Sequence, residues 1–239
     1  MKWLRTIIVF DKGNVIGADD WRLVHESYVR SIASIDNPAG SGKLMLRRKE
    51  RVNGDWKRNG VNYLRSRFLQ HMTVTEGWHA EAGVELSADH APPVLKLYPS
   101  LEEYQEPIAS RFGGFDFVTR GPDGLRVAIE WETGNISSSH RSMNKLAIAL
   151  ANKVVDVGVL IVPSRLLYEH LTDRVGNIYE LSGYLEMWHG LGEAIESGVL
   201  AITVVEHDEL TDDAVPFLTS GEDGNAKRAR ARKASTSET

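Results

Sequence analysis

Residues Phe115–Asn135 read FDFVTRGPDGLRVAIEWETGN, two short apolar runs, Phe115 to Thr119 and Leu125 to Glu132, separated by Arg-Gly-Pro-Asp-Gly. Pro-Asp-Gly is strong turn chemistry, since proline presets φ and glycine accepts conformations closed to other residues, so a β-hairpin is expected here. Side chains alternate across a strand. Val127, Ile129 and Trp131 therefore share one side, and Ala128, Glu130 and Glu132 the other. Pairing around the turn brings Asp116 toward Glu130. Three carboxylates among Phe, Val, Ile and Trp are costly to desolvate and repel one another unless something neutralises them. A hard cation such as Mg²⁺ suits three oxygen ligands and offsets that repulsion. The plainer alternative is a solvated sheet edge, or an ion pair with Arg126 or Arg141.

Outward from the hairpin, a helical pattern runs from about Ser138 to Lys153, followed by VDVGVLIVP, a continuous apolar run with the character of a buried strand. Strand, helix and buried strand make a βαβ crossover with parallel pairing. Toward the N-terminus, the apolar run Thr6 to Phe10 precedes a helix in DDWRLVHESYVRSIAS, with Asp19 or Asp20 as its cap. NPAGSGK breaks that helix. Leu64, Phe68 and Met72 form one face of the next helix, which EGWHAEAGVE continues or restarts. Ser-Leu-Glu-Glu at Ser100 has capping-box spacing for a short helix. Further helices are expected near Ser164 to Arg174 and Leu181 to Ser197, and VLAITVVEH is one more strand. From Ser220 the tail GEDGNAKRARARKASTSET has no apolar periodicity and is expected to be a disordered basic tail (220–239), leaving one domain over 1–219.

The chain of 239 residues is long enough for a sizeable core, and with no cysteine it has no disulfide, thiolate nucleophile or Cys-ligated zinc. Four consecutive apolar residues before Asp11 are too few for a signal-peptide core or a membrane span, so a cytoplasmic location without membrane contact is expected. The net charge of −5 is unevenly spread: between Ser41 and Gln70, nine Lys and Arg residues face only Glu50 and Asp55. One end of the molecule is basic.

Several motifs fail on detail. NPAGSGKL ends like a phosphate-binding loop, but Asn37 stands where its first glycine is needed and Leu44 where its Ser or Thr is needed. The strand-then-Asp start IIVFDKG resembles the nucleophile strand of haloacid-dehalogenase-type phosphatases, with Asp11 as nucleophile, yet no Lys follows VLIVPS before Lys227. The eight histidines form no HExxH and no zinc-ligand spacing, and no GxSxG elbow occurs.

Asp followed by about a dozen residues and then Glu-x-Glu on a hairpin resembles the PD-(D/E)xK nuclease superfamily. More specifically, WHAE, FDFV, VAIEWETGNISSSHRSMNKL and DVGVLIVP, from roughly Gly60 to Pro163, resemble the catalytic core of the BamHI and BglII group of type II restriction endonucleases. The resemblance implies an α/β restriction-endonuclease-like fold, a mixed β-sheet flanked by helices on both sides. It implies a catalytic set of Glu81 on a preceding helix, Asp116, Glu130 and Glu132, with Mg²⁺ as cofactor and Mn²⁺ as substitute. Asp116, Glu130, Glu132 and the Trp131 carbonyl would hold the metal. Glu132 occupies the superfamily's usual lysine position, so water activation by lysine is replaced by a carboxylate.

Such an enzyme hydrolyses phosphodiesters of double-stranded DNA at a short palindromic site, and a DNA methyltransferase acting on that site is an expected counterpart. Basic surface is needed beside the acids, and Arg47, Arg48, Lys49, Lys57 and Arg58 are candidates for phosphate contacts. Asn135, Ser137, Ser138, His140 and Arg141 lie near a helix N-terminus suited to phosphate or base-edge contact, though Ser137 or Ser138 also suits a helix cap. One catalytic cluster per chain cuts one strand, so a homodimer is expected, with Met143, Leu146 and Leu150 as an interface or as packing on the sheet. Rival readings are a non-specific, repair or toxin nuclease of the same superfamily and the Asp11 phosphatase.

Overall fold

A computed structural model describes residues 1–82, 114–172 and 175–219; the side chains of residues 81 and 82 lie outside that description. The helix expected at Ser100 and the tail from Ser220 also fall outside it. The hairpin forms as expected, with β6 at Phe115–Arg120 and β7 at Arg126–Trp131, antiparallel with Phe117 opposite Ile129 and Val118 opposite Ala128. Gly124 in the turn has φ of 96°, which explains the glycine. Asp20 secures the turn from outside, its Oδ2 accepting from the N–H groups of Asp123 at 3.0 Å and Leu125 at 3.1 Å.

The 16-residue helix α3 (Ile136–Ala151) carries the chain from β7 to β8 (Val157–Pro163), which pairs parallel to β7. Every residue of β8 is buried, as its unbroken apolar run requires. β9 (Gly198–Glu206) pairs parallel to β8, and β1 (Lys2–Lys12) closes that edge antiparallel to β9. At the other edge β5 (His79–Ala82) pairs antiparallel to β6. The sheet order is thus β1-β9-β8-β7-β6-β5, mixed in direction.

Helices cover both faces. On one lie α1 (Asp19–Ala33), α2 (Asn62–Gln70) and α4 (Arg165–Tyr168), whose Tyr28, Ile32, Leu64, Phe68 and Leu167 pack with Val127, Ile129 and Trp131 of β7. On the other lie α3, α5 (Ile178–Leu181) and α6 (Leu185–Leu191), whose Met143, Leu146, Leu150, Leu181 and Trp188 pack with Ala128, Leu160 and Leu200. The alternation read from β7 therefore holds residue by residue. Of the two alternatives for Met143, Leu146 and Leu150, packing on the sheet holds and the dimer interface does not, because all three are buried in this core.

Other expectations change. Residues 79–82 form edge strand β5 rather than helix, after a single π-helical turn at His71–Thr75, so Glu81 sits on a strand. Ala18 occupies the N-cap of α1 with no side-chain bond, because Asp20 is spent on the hairpin turn. Asp11 lies on an edge strand, where its Oδ1 accepts from Val15 N–H at 2.9 Å, a local turn closure that does not fit a nucleophile. In the NPAGSGK loop the N–H groups of Gly40 and Gly42 point at Asp36 Oδ2, at 2.6 and 3.2 Å, so an internal carboxylate fills the place a phosphate would take. The basic segment contains short strands that apolar patterning could not reveal: β2 (Met45–Arg47), β3 (Glu50–Val52) and β4 (Asp55–Lys57), with β10 (Glu209–Thr211) parallel to β2.

Candidate active site

The ladder between β6 and β7 runs as far as Phe117 opposite Ile129. Beyond it the next backbone donor, Trp131 N–H, goes to the side chain of Asp116, whose Oδ2 accepts at 2.9 Å. The carboxylate thus takes the place of a strand carbonyl and is fixed against β7. Its Oδ1 faces Arg65 Nη2 at 3.3 Å, from α2. On the other side of β7, Glu132 N–H donates to Ile161 O of β8 at 2.9 Å. Within one peptide the C=O opposes the N–H, so the Trp131 carbonyl turns toward Asp116.

Glu130 and Glu132 are each only 7% exposed, although they are ionisable. Burial pushes both carboxyls up to about 7. For Glu130 the desolvation is opposed by Lys145 of α3, whose ammonium forms a close ion pair with Oε1, and by the charge of Arg141, while Asp116 adds repulsion. For Glu132 it is opposed by Ser139 and by Gly134 N–H, which donates to Oε1 at 2.5 Å, while the charges of Glu130 and Asp116 add to it. A Cβ on Gly134 would stand 2.6 Å from Ser138 Oγ and 3.2 Å from Glu132 Oε1, so glycine allows this close approach. Glu132 Oε2 and Ser139 Oγ remain buried without a completed hydrogen bond.

Asp116, Glu130 and Glu132 therefore sense one another electrostatically at one end of β7. Among the described residues, however, no three carboxylates or histidines stand together as a ready cage for one ion. The reason is local: Asp116 is turned onto Arg65 and the Trp131 N–H, Glu130 onto Lys145, and Glu132 onto Gly134. The donor set is nonetheless all hard oxygen, and the buried, unpartnered Glu132 Oε2 is the kind of atom a divalent cation satisfies. The side chain of Glu81 is outside the described residues, so its place in the cluster stays an expectation.

At the helix N-terminus, Asn135 and not a serine is the cap of α3, its Oδ1 accepting from Ser137 N–H at 3.0 Å and Ser138 N–H at 3.3 Å. Ser137 and Arg141 are exposed, whereas the His140 ring packs on Tyr184 at 4.2 Å and Trp188 at 5.4 Å. The basic segment is anchored by Asn59, fully buried, which donates through Nδ2 to Arg47 O and His170 O and accepts from Leu218 N–H. Arg47 pairs with Glu50, Arg48 with Asp212, Lys49 with Glu169 and Lys57 with Glu50, so their charge is locally answered. Sequence reasoning missed Lys145, Arg65 and Ser139. For Lys145 a signal existed: Ser138, Arg141 and Lys145 fall three and four residues apart on one stripe of α3.

The restriction endonuclease BamHI family model matches residues 1–225. Of the curated proteins, type II restriction enzyme OkrAI of Oceanobacter kriegii is 32% identical over 228 residues, 95% of this chain and all of that one. The chain belongs to the BamHI family of type II restriction endonucleases. Type II restriction enzyme BamHI of Bacillus amyloliquefaciens is 39% identical over 104 residues, 44% of this chain and 45% of its own length. Among solved structures, restriction endonuclease BglII complexed with a DNA 16-mer superposes with a TM-score of 0.51 at 10% identity, over 86% of this chain and 79% of that one, a likeness of fold. Family membership thus extends well beyond the Gly60 to Pro163 core legible in the sequence, and with the edge position of Asp11 it removes the phosphatase reading.

Proposed function

We propose that this family member is a Mg²⁺-dependent endonuclease that hydrolyses phosphodiester bonds of double-stranded DNA at a short palindromic site, with Mn²⁺ as a substitute ion. The observation that carries the reading is the pair Glu130 and Glu132, buried two residues apart beside Asp116 in a chain of this family. Asp116, Glu130, Glu132 and the Trp131 carbonyl would hold the ion, with Glu81 completing the acidic set. When bound, the ion supplies Lewis-acid stabilisation of the pentavalent phosphate and lowers the pKa of a water. Glu132, its carboxyl raised to about 7 by burial in the metal-free protein, would act on the attacking water as a ligand of the ion or, in its ionised form, as the base that accepts the water's proton.

Arg47, Arg48, Lys49, Lys57 and Arg58 fix DNA through its phosphates, exchanging exposed carboxylate partners for phosphate oxygens. Asn135, Ser137, Ser138 and Arg141 lie one turn of chain beyond the acids and suit contact with the adjacent backbone or base edges; His140, its ring packed on Tyr184, suits this less. A homodimer presents two clusters to the two strands. Tyr184, Met187 and Leu191, spaced three and four residues apart and all exposed, form an apolar stripe that supports a self-association face. A methyltransferase modifying the same site is the expected partner in the cell.

Incubation with unmethylated phage DNA and Mg²⁺, followed by sequencing of fragment ends, tests the reading. Discrete bands sharing one palindrome are expected, abolished by a chelator. A smear would replace site specificity with non-specific cleavage, and intact DNA at high protein would overturn the proposal.

A further inference from the structure

One charged group near the acids has no part in the reading above. Lys145 has a side chain only 14% exposed and makes three contacts, each of a kind a cation seeks. Its ammonium pairs with Glu130 Oε1, donates to Gly114 O at 2.8 Å and lies over the Phe115 ring at 4.8 Å. Lysines normally carry the ammonium out to water along their flexible stem. This one turns inward, into the acidic cluster. Arg65 stands in the same relation to Asp116.

The Glu130 contact is a close ion pair in which the Lys145 ammonium favours the ionised carboxylate against its burial. It is held by charge, and charge is what a divalent cation competes for. A unit positive charge within contact distance of a divalent ion, in a site screened from water, weakens that ion's binding by at least about an order of magnitude. An ammonium resting on Glu130 and a metal ion on the same carboxylate therefore oppose each other. The arrangement also removes a difficulty for the metal-free protein, in which two buried glutamates would otherwise repel without compensation.

We propose that Lys145 is the resident counter-ion of the acidic cluster, occupying Glu130 in the metal-free protein, so that a divalent cation binds there by displacing the ammonium. The inference rests on the reading of Glu130 as a metal ligand. Lys145 is on this account a positioning residue: it keeps Glu130 in place and sets the metal affinity of the protein low until the ammonium moves.

Calorimetric titration of the full chain with Mn²⁺, without DNA, tests this. Lys145→Met should bind Mn²⁺ about tenfold more tightly than the parent, Lys145→Arg should bind like the parent, and Glu130→Gln should bind weakly with either residue at 145. Unchanged or weaker binding by folded Lys145→Met, with Glu130→Gln still impaired, overturns the counter-ion role and leaves Glu130 as a ligand. Unimpaired binding by Glu130→Gln overturns both. A second measurement needs no variant: lysine-directed acetylation of the parent, read by peptide mass spectrometry, should become severalfold faster at Lys145 when Mn²⁺ saturates the protein. Equal reactivity with and without Mn²⁺ overturns the proposal.

Discussion

The acidic end of β7 and the basic segment around β3 and β4 hold charge in opposite ways. Glu130 and Glu132 are buried on a central strand, and with Asp116 they are held by groups from α2, α3 and the β7–α3 turn. Arg48, between β2 and β3, and Lys57, on β4, are exposed and meet Asp212 and Glu50 at 3.3 and 4.0 Å, in contact with water. Exposed pairs of this kind contribute about 1 kcal/mol or less, so a cation can trade its carboxylate for a phosphate at small cost. Buried carboxylates have no such freedom; their surroundings decide what they can bind. Charge is thus fixed by its surroundings at the end of β7 and free to exchange partners in the basic segment.

Removing Glu130 should break the comparison on its acidic side most severely. Glu130→Ala is expected to lower the cleavage rate by on the order of 10³-fold, the scale of losing one preorganised electrostatic group. DNA affinity in a filter-binding or gel-shift assay without metal should stay within about threefold, because phosphate contact is assigned elsewhere. Normal cleavage by this variant would sink the metal-site assignment. The basic side should respond in the converse way. Arg48→Ala and Lys57→Ala are each expected to weaken DNA binding a few-fold and to reduce the slope of log affinity against log salt by about 1, leaving the rate at saturating DNA unchanged. A lower saturated rate with unaltered affinity would move those residues out of the phosphate-contact role.

How much of this was legible in the sequence follows from the same contrast. The period-2 pattern of β7 gave the face of every residue from Val127 to Trp131, because burial on both sides leaves alternation no freedom. The apolar run of β8 was equally plain. In the basic segment the charge excess was visible, but its partners Asp212 and Glu169 lie more than a hundred residues away, and pairing at that separation has no local signature. The misreading of residues 79–82 has a related cause: a four-residue edge strand is defined by its neighbour β6, not by its own pattern. Lys145 shares a helix stripe with Ser138 and Arg141, but that spacing alone does not tell a solvated face from one turned toward Glu130.

A smaller effect tests the link between the two regions. Asn135 begins α3, the helix that carries both Lys145 and Ser139 to the acids, and its Oδ1 satisfies two N–H groups of the first turn. Asn135→Ala should cost about 1 kcal/mol in urea unfolding, the usual value of an N-cap. Asn135→Ser, which keeps a capping oxygen, should restore most of it. If both variants lose the same stability, the amide is needed for something other than the cap.

The smallest expected effect concerns the anchor of the basic segment and its pH dependence. Lys49 N–H donates to His170 Nδ1 at 3.1 Å, so the ring must be neutral at that nitrogen. Burial pushes the His170 imidazolium down to about 4, helped by the charges of His207 and Lys49 and opposed by Glu169. In the unfolded chain the group titrates near its ordinary 6.5. Between these values the unfolded state binds the proton and the folded state does not, so the stability from this contact is full above about 6.5 and is lost as pH falls toward 4. His170→Asn offers Lys49 an acceptor that does not titrate. The fall in melting temperature between pH 7.5 and pH 5 should therefore be smaller in His170→Asn than in the parent, with little difference at pH 7.5. An equal fall in both proteins would show that titration of this ring does not set the pH dependence of the fold.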